Sequence, residues 1–330
     1  MTHETTTPTP LTTPTPLMTP APALVPAPVP APVPAPAPVP APAPVPGPAS
    51  ASASAPARAL SVDGLVEAVL AGEQGPLPSE LVATSVFWIH HGTRLAGGDT
   101  TYLNQYVLVR LGGSFGACAF EAGELDPALC RDSSGTPLDT LLREAPRPLR
   151  IAALDAYLAA TRPHRLAAGT GVAEAVTLPA GTPEVRARAR DAAIAGLLDI
   201  EPGAKVGLIG VVNPLVAAIR ERGGDPLPCD FNLKATQWGD PVTDDMHQVL
   251  DRADAVVATG MTLSNGSFDT ILERCRSRGV PLVVYAQSGS AVARAFLGSG
   301  VTALSAEPFP FSQFSADETV LYRYRTMGGA

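Results

Sequence analysis

Aromatic residues make up only 5% of the 330-residue chain, so any core must be aliphatic, drawn from the alanine, valine and leucine behind its 45% apolar content. Lysine is nearly absent: Lys205 and Lys234 are the only two, and no Lys/Arg-rich run compensates. A nucleic-acid partner needs a basic face against its phosphates, and a net charge of −8 with no basic run argues against one. Cysteine is scarce too. Cys118, Cys130, Cys229 and Cys275 form no C-x-x-C pair and have no histidine at metal-site spacing, which reads as free thiols packed as small hydrophobes. No apolar run approaches the ~18 residues a spanning helix needs. The first residues carry an acid and no basic stretch of the kind that opens a signal peptide. The expected setting is therefore cytoplasmic, without a membrane partner.

Proline is abundant but unevenly placed, with 19 of 36 prolines lying between Thr7 and Ala57. Repeated Ala-Pro and Val-Pro fixes φ and removes amide donors, so neither helix nor sheet can propagate. Residues 1–58 read as a disordered, polyproline-II-prone arm. Such an arm is a spacer, a solubilising tail or a ligand for a proline-recognition module.

Residues 59–170 read as a small α+β domain. Ser61 can cap a helix carrying Leu65, Val66, Val69 and Leu70 at helical spacing. Strands are expected over 83–89, 102–111 and 115–120, the last two joined by Gly112-Gly113 in a hairpin. Helices are expected over 137–144 and 148–161. Residues 162–182 look like a connector, and 183–198 a helix with three arginines on an exposed face. From Lys205 onward, short apolar strands alternate with helices, which implies a parallel sheet buried on both faces. Residues 171–330 are thus expected to form a doubly wound, mostly parallel Rossmann-like sheet, closed by a helix over 317–324.

Ligands of such sheets bind beyond the carboxyl ends of the strands, which singles out four loops. The first holds Gly210 and Asn213 but lacks the glycines of a dinucleotide fingerprint, so the cofactor stays unknown. The second holds Asp230, where an acid could meet a ribose hydroxyl or simply be solvated. The third, Gly260, Met261, Thr262, Leu263, Ser264, Asn265, Gly266 and Ser267, packs glycines, hydroxyls and an amide before a helix N-terminus suited to an anion. Its blander reading is a turn and a helix cap. The fourth offers Gln287 and Ser288.

The run from Ala258 to Ser267 resembles the "TG-x-TL-x-NG-T" signature of the family described as putative heavy-metal chelation. Val206 to Gly210 resembles that family's first strand, and Arg150 to Tyr157 the end of its N-terminal domain. The resemblance implies a Rossmann-like domain of unknown function preceded by an enolase-N-terminal-like domain, over roughly 80–330. This chain departs from it at Asp155, where the family usually has Asn, and at Gln287-Ser288-Gly289, where it usually has Gly-Pro-Thr. A metal would need a ligand cluster. His3, His90, His91, His164 and His247 supply none, and adjacent strand residues such as His90 and His91 point to opposite faces.

The N-terminal domain has its own polar constellation between two apolar strands. Arg94 could clamp a carboxylate, His90 or His91 could act as general base, and Asp99, Tyr102 and Asn104 could orient substrate. The alternative is a solvated hairpin. Together these features point to an enzyme acting on a small anionic, amino-acid-like metabolite held between the two domains, by a lyase or group-transfer reaction. The alternative is a non-catalytic protein binding a metal or metallophore. A homodimer remains compatible with either.

Overall fold

The structure, a computed structural model, describes residues 60–94, 101–164 and 171–326. The proline-rich arm and Asp99 lie outside these residues. Ser61 accepts the Gly64 N–H and starts α1 (Val62–Leu70), whose buried face is Val62, Leu65, Val66 and Val69. Strands β1 (Ser85–Arg94), β2 (Thr101–Leu111) and β3 (Ser114–Ala119) form an antiparallel meander. Leu111 faces Ser114 across the Gly112-Gly113 turn. Three helices follow: α2 (Leu129–Ser133), α3 (Leu138–Glu144) and α4 (Arg147–Thr161).

Helix α4 lies directly on β3. A Cβ at Gly116 would stand 2.0 Å from the Ala156 nitrogen, so only glycine permits this approach. Asp155 then ties three elements together. One carboxylate oxygen accepts the Ala117 N–H at 3.0 Å, and the other accepts Ala291 at 2.8 Å and Val292 at 3.3 Å.

The larger sheet is built from β4 (Gly171–Leu178), β5 (Lys205–Ile209), β6 (Asp225–Cys229), β7 (Ala255–Thr259), β8 (Leu282–Ala286), β9 (Ala303–Ala306) and β10 (Thr319–Thr326). Its order is β4-β10-β9-β8-β7-β5-β6. Strands β5 to β9 are parallel, and β10 runs antiparallel to both β9 and β4. Within the parallel part the order is second, first, third, fourth, fifth, a doubly wound arrangement that reverses between β5 and β7. Pro226 and Pro228 sit in β6, at the sheet edge, where a missing N–H costs no ladder bond.

The connecting helices are α5 (Pro183–Ala195), α6 (Asn213–Glu221), α7 (Met246–Arg252), α8 (Met261–Ser264), α9 (Phe268–Arg278) and α10 (Ser290–Ala295). They cover both faces of the sheet. Val256 and Ala258 pack into the core shared with α4, α7, α9 and α10, whereas Ala255 and Val257 pack against α5 and α6. All described residues fall in one compact unit, Ala53–Ala330.

Three expectations need correction. The connector 162–182 contains β4, and the segment 317–324 is mostly strand β10, because each supplies the other's pairing partner across the sheet edge. Helix α5 does not carry its three arginines on an open face. Arg186 is buried at 3% exposure, and Arg190 is turned inward beside a fully buried Asp191.

Candidate functional site

The carboxyl ends of β5, β7, β8 and β9 open onto one cavity of about 650 Å³, and the β1–β2 ladder and α5 supply its other walls. All four crossover loops contribute to it, as the topology requires where the strand order reverses.

The loop after β5 turns at Gly210, which has φ of 85°. A Cβ there would meet Thr259 Cγ2 at 2.5 Å. Tyr285 donates its hydroxyl to the Gly210 carbonyl at 2.9 Å, and burial raises its pKa well above the ordinary phenol range. Asp230 lines the cavity, but its carboxylate is committed to the backbone. It accepts Val211 N–H at 2.9 Å, Asn232 at 2.8 Å and Leu233 at 3.2 Å, locking the first and second loops together. Asn213 opens α6, where its Oδ1 accepts the Gln237 N–H at 3.0 Å, and stands outside the lining.

The third loop is partly helical, being interrupted by α8. A Cβ on Gly260 would lie 2.4 Å from the Ser288 carbonyl, so the third and fourth loops touch backbone to backbone. Met261, Thr262, Asn265 and Ser267 face the cavity. Thr262 spends its hydroxyl proton on the Thr259 carbonyl at 2.7 Å. Asn265 Oδ1 accepts both the N–H and the hydroxyl of Ser267, at 3.0 and 2.7 Å, which turns its amide nitrogen into the group left for a ligand. No side chain caps α9. Leu263 is fully buried core, and Gly266 turns at φ of 83° beside Arg147; neither lines the cavity. In the fourth loop Gln287 donates to Glu307 Oε2 at 2.9 Å, and Ser288 lines the wall.

The meander brings one histidine of the pair. His91 reaches the cavity, its Nε2 3.1 Å from the Thr93 hydroxyl and its ring edge-on to Phe314 at 5.1 Å. Asn104, its partner across the ladder, also lines the space. His90 is on the other face, stacked on Trp88 at 5.6 Å. Arg94 is exposed, donates to the Thr101 hydroxyl at 3.0 Å and does not line the cavity. Tyr102 lies in β2 opposite Thr93.

Helix α5 supplies what the sequence reading missed. Arg186, Arg190 and Ile194 recur every four residues and all face the cavity, with Asp191 beside them. Arg186 is consumed by structure, donating to the carbonyls of Ser312, Pro179 and Asp317 and to the Thr319 hydroxyl. Arg190 Nε donates to Asp191 Oδ1 at 2.8 Å, and no other hydrogen bond to Arg190 is present among the described residues. Burial opposes its charge, but Asp191, Glu307 and Tyr285 outweigh burial and hold its pKa above the ordinary guanidinium value. Burial lifts Asp191 above the usual carboxylate range, with Arg190 opposing. Its Oδ2 is buried without a partner. Glu307 accepts from the Ser312 N–H as well as from Gln287. The available signal was the four-residue spacing of arginines with an apolar residue on one helix face, an odd pattern for a solvated surface.

The donor set does not fit a metal ion held by protein alone. Among the described residues no group of three or more His, Cys, Asp or Glu could hold one, and the cavity histidine already has a hydroxyl against its ring. Nor is any helix among the described residues long and apolar enough to cross a membrane.

Residues 192–307 match the family described as "DUF364: Putative heavy-metal chelation". The fold is similar to a DUF364 protein of unknown function from Desulfitobacterium hafniense, 15% identical over 79% of this chain and 95% of that one, with a TM-score of 0.51. A second DUF364 structure, from Pyrococcus horikoshii, is 16% identical over 80% of this chain and 98% of that one, with a TM-score of 0.48. No curated protein matches the chain. The loops that carry the cavity fall largely within residues 192–307, the segment of this chain that matches the family described as putative heavy-metal chelation.

Proposed function

We propose that the chain is an enzyme acting on a small, amino-acid-like metabolite with an anionic group, bound in the cleft between the β1–β2 ladder and the rim of the parallel sheet. The observation that supports this most is the convergence of all four crossover loops, the α5 ion pair and His91 on one cavity of about 650 Å³ at the point where strand order reverses. That volume suits a small metabolite. Backbone amides and Asn265 offer donors, and His91 is the imidazole placed to move a proton. A lyase or group-transfer reaction is the class we favour, because an anchored carboxylate beside a proton-transferring group is the arrangement such chemistry uses.

Native mass spectrometry of freshly purified protein tests the reading. A copurified small molecule is expected, retained by Arg94→Ala and lost from Asn265→Ala, since only the second residue lines the cleft. Full retention by Asn265→Ala and by a His91→Ala variant together would remove the cleft from consideration.

The family description favours a second reading, a carrier for a metal already complexed by a small molecule, which would bring its own donors to a cavity poor in protein ligands. Elemental analysis of the same preparation separates the two. Stoichiometric metal that departs together with an organic ligand would favour the carrier.

A further inference from the structure

The charges around the cleft are out of balance for a simple anion. Among its described lining residues, Arg186 and Arg190 stand against Glu121, Asp191, Asp230 and Glu307. Arg186 is spent on backbone carbonyls and the Thr319 hydroxyl. Asp230 and Glu307 are held by N–H donors, and their carboxyl groups stand within the same walls. One cation with open donors therefore faces an excess of carboxylate. A ligand bearing only negative charge would be gripped at Arg190 and repelled by the rest of the cavity. One that also carries an ammonium group meets both.

The local geometry at Arg190 points the same way. The side chain is one-fifth exposed, and its Nη groups are not among the enclosed atoms lacking a partner, so they border open space. A guanidinium with its Nε fixed and its outer edge free presents the planar fork that pairs with a carboxylate. Asp191 lies wholly inside, with one oxygen on Arg190 and the other unpartnered, the one carboxylate oxygen among the buried unpartnered side-chain atoms of the described residues, and that arrangement costs free energy. Buried, incompletely satisfied charge beside a cavity is the signature of a site arranged for a ligand rather than for stability.

We propose that Arg190, positioned by Asp191, binds the carboxylate of a substrate that also bears an ammonium group, so that the cleft selects α-amino acids or similar zwitterions over simple carboxylates. This rests on the reading of the cleft as a metabolite site and names the charge type of its occupant.

The test is calorimetric titration of the full-length protein with the twenty L-α-amino acids. Each binder is followed by the amine that lacks its carboxylate and the acid that lacks its amine. At least one amino acid should bind, and both stripped analogues should bind about tenfold more weakly or worse, because each forfeits one charge-assisted contact. Arg190→Gln should weaken the amino acid about 100-fold and should not weaken the amine analogue. Because Arg190→Gln strands a buried carboxylate, the double variant R190Q/D191N serves as the folded control, and it should show the same loss. Asp191→Asn should weaken the amino acid more than the amine, as expected of a residue that also holds the guanidinium. The proposal is overturned if no amino acid binds, if the deaminated acid binds as tightly as its parent, or if R190Q/D191N binds normally. A non-zwitterionic ligand that copurifies and is lost from Asn265→Ala would overturn it while leaving the cleft reading intact.

Discussion

At the scale of single residues, Asp155 and His164 impose opposite pH dependences on stability. Burial raises Asp155 to about 6, only partly offset by its three backbone donors. Its folded pKa exceeds the unfolded value of 3.8, so its contribution is complete below 3.8 and is lost as pH rises through about 6. At about 1.4 kcal/mol per unit, that loss is at most about 3 kcal/mol. His164 is buried between the Tyr324 hydroxyl at 3.1 Å and Ser290 Oγ at 3.2 Å. Burial, then Arg294, lowers it to about 3. Its contribution is complete above the unfolded value of 6.5 and is lost as pH falls toward 3. Between pH 4 and 6 the two slopes oppose each other. Asp155→Asn should therefore make stability rise with pH over that interval, and His164→Gln should make it fall, relative to the parent protein. Urea midpoints at pH 4.5, 5.5 and 6.5 for the three proteins check both. Asp155→Asn should also cost about 1–3 kcal/mol, because its amide nitrogen must face a backbone N–H that the carboxylate accepted.

At the scale of elements, the packing of α4 on β3 and the pairing of β4 with β10 decide whether the meander and the sheet hold together. Gly116→Ala would drive a methyl into the backbone of α4, 2.0 Å from one atom and 2.3 Å from the Ala152 carbonyl. Movement of a whole helix is the only relief, and a loss above about 3 kcal/mol is expected, read as a fall in the thermal midpoint or in soluble yield. Strand β10 buries Leu321 and Tyr324 and is the sole link between β9 and β4. Truncation after Asp317 should expose two strand edges and abolish cooperative unfolding, measured by calorimetry. The run Thr-Val-Leu-Tyr-Arg-Tyr-Arg-Thr is rich in β-branched and aromatic residues, a composition that favours the strand over the helix expected there. Strand β4, equally long, carried a weaker signal, because its glycine, alanines and threonine fit a connector equally well.

At the scale of the whole molecule, the cleft exists only because a meander distant in sequence folds over the rim of a sheet. His91 and Asn104 come from the N-terminal strands, Arg190 and Asp191 from α5, and Asn265 and Ser288 from crossover loops. The doubly wound, mostly parallel sheet and the polar loops at the carboxyl ends of its strands were legible in the chain, because alternating apolar strands and helices with right-handed connections leave few arrangements. Glycine at 210 and 260 and the dense polar run at 260–267 marked the rim for the same local reason: turns and close backbone approaches need those residues.

Which charges turn inward was not legible. Arginines on a helix read as a solvated face, and only the arrival of Ser312, Asp317 and Thr319 beside α5 gives Arg186 the partners that let it be buried. Likewise His90 and His91 are equivalent in the chain, and the face that the β1 pleat gives to Phe314 separates them. Local spacing therefore determined the alternating strands and helices from Lys205 to Ala306, which depend on neighbours along the backbone, but not β4 or β10, which depend on pairing with each other. Tertiary packing decided the site, because the burial of a charge depends on partners that no local pattern names.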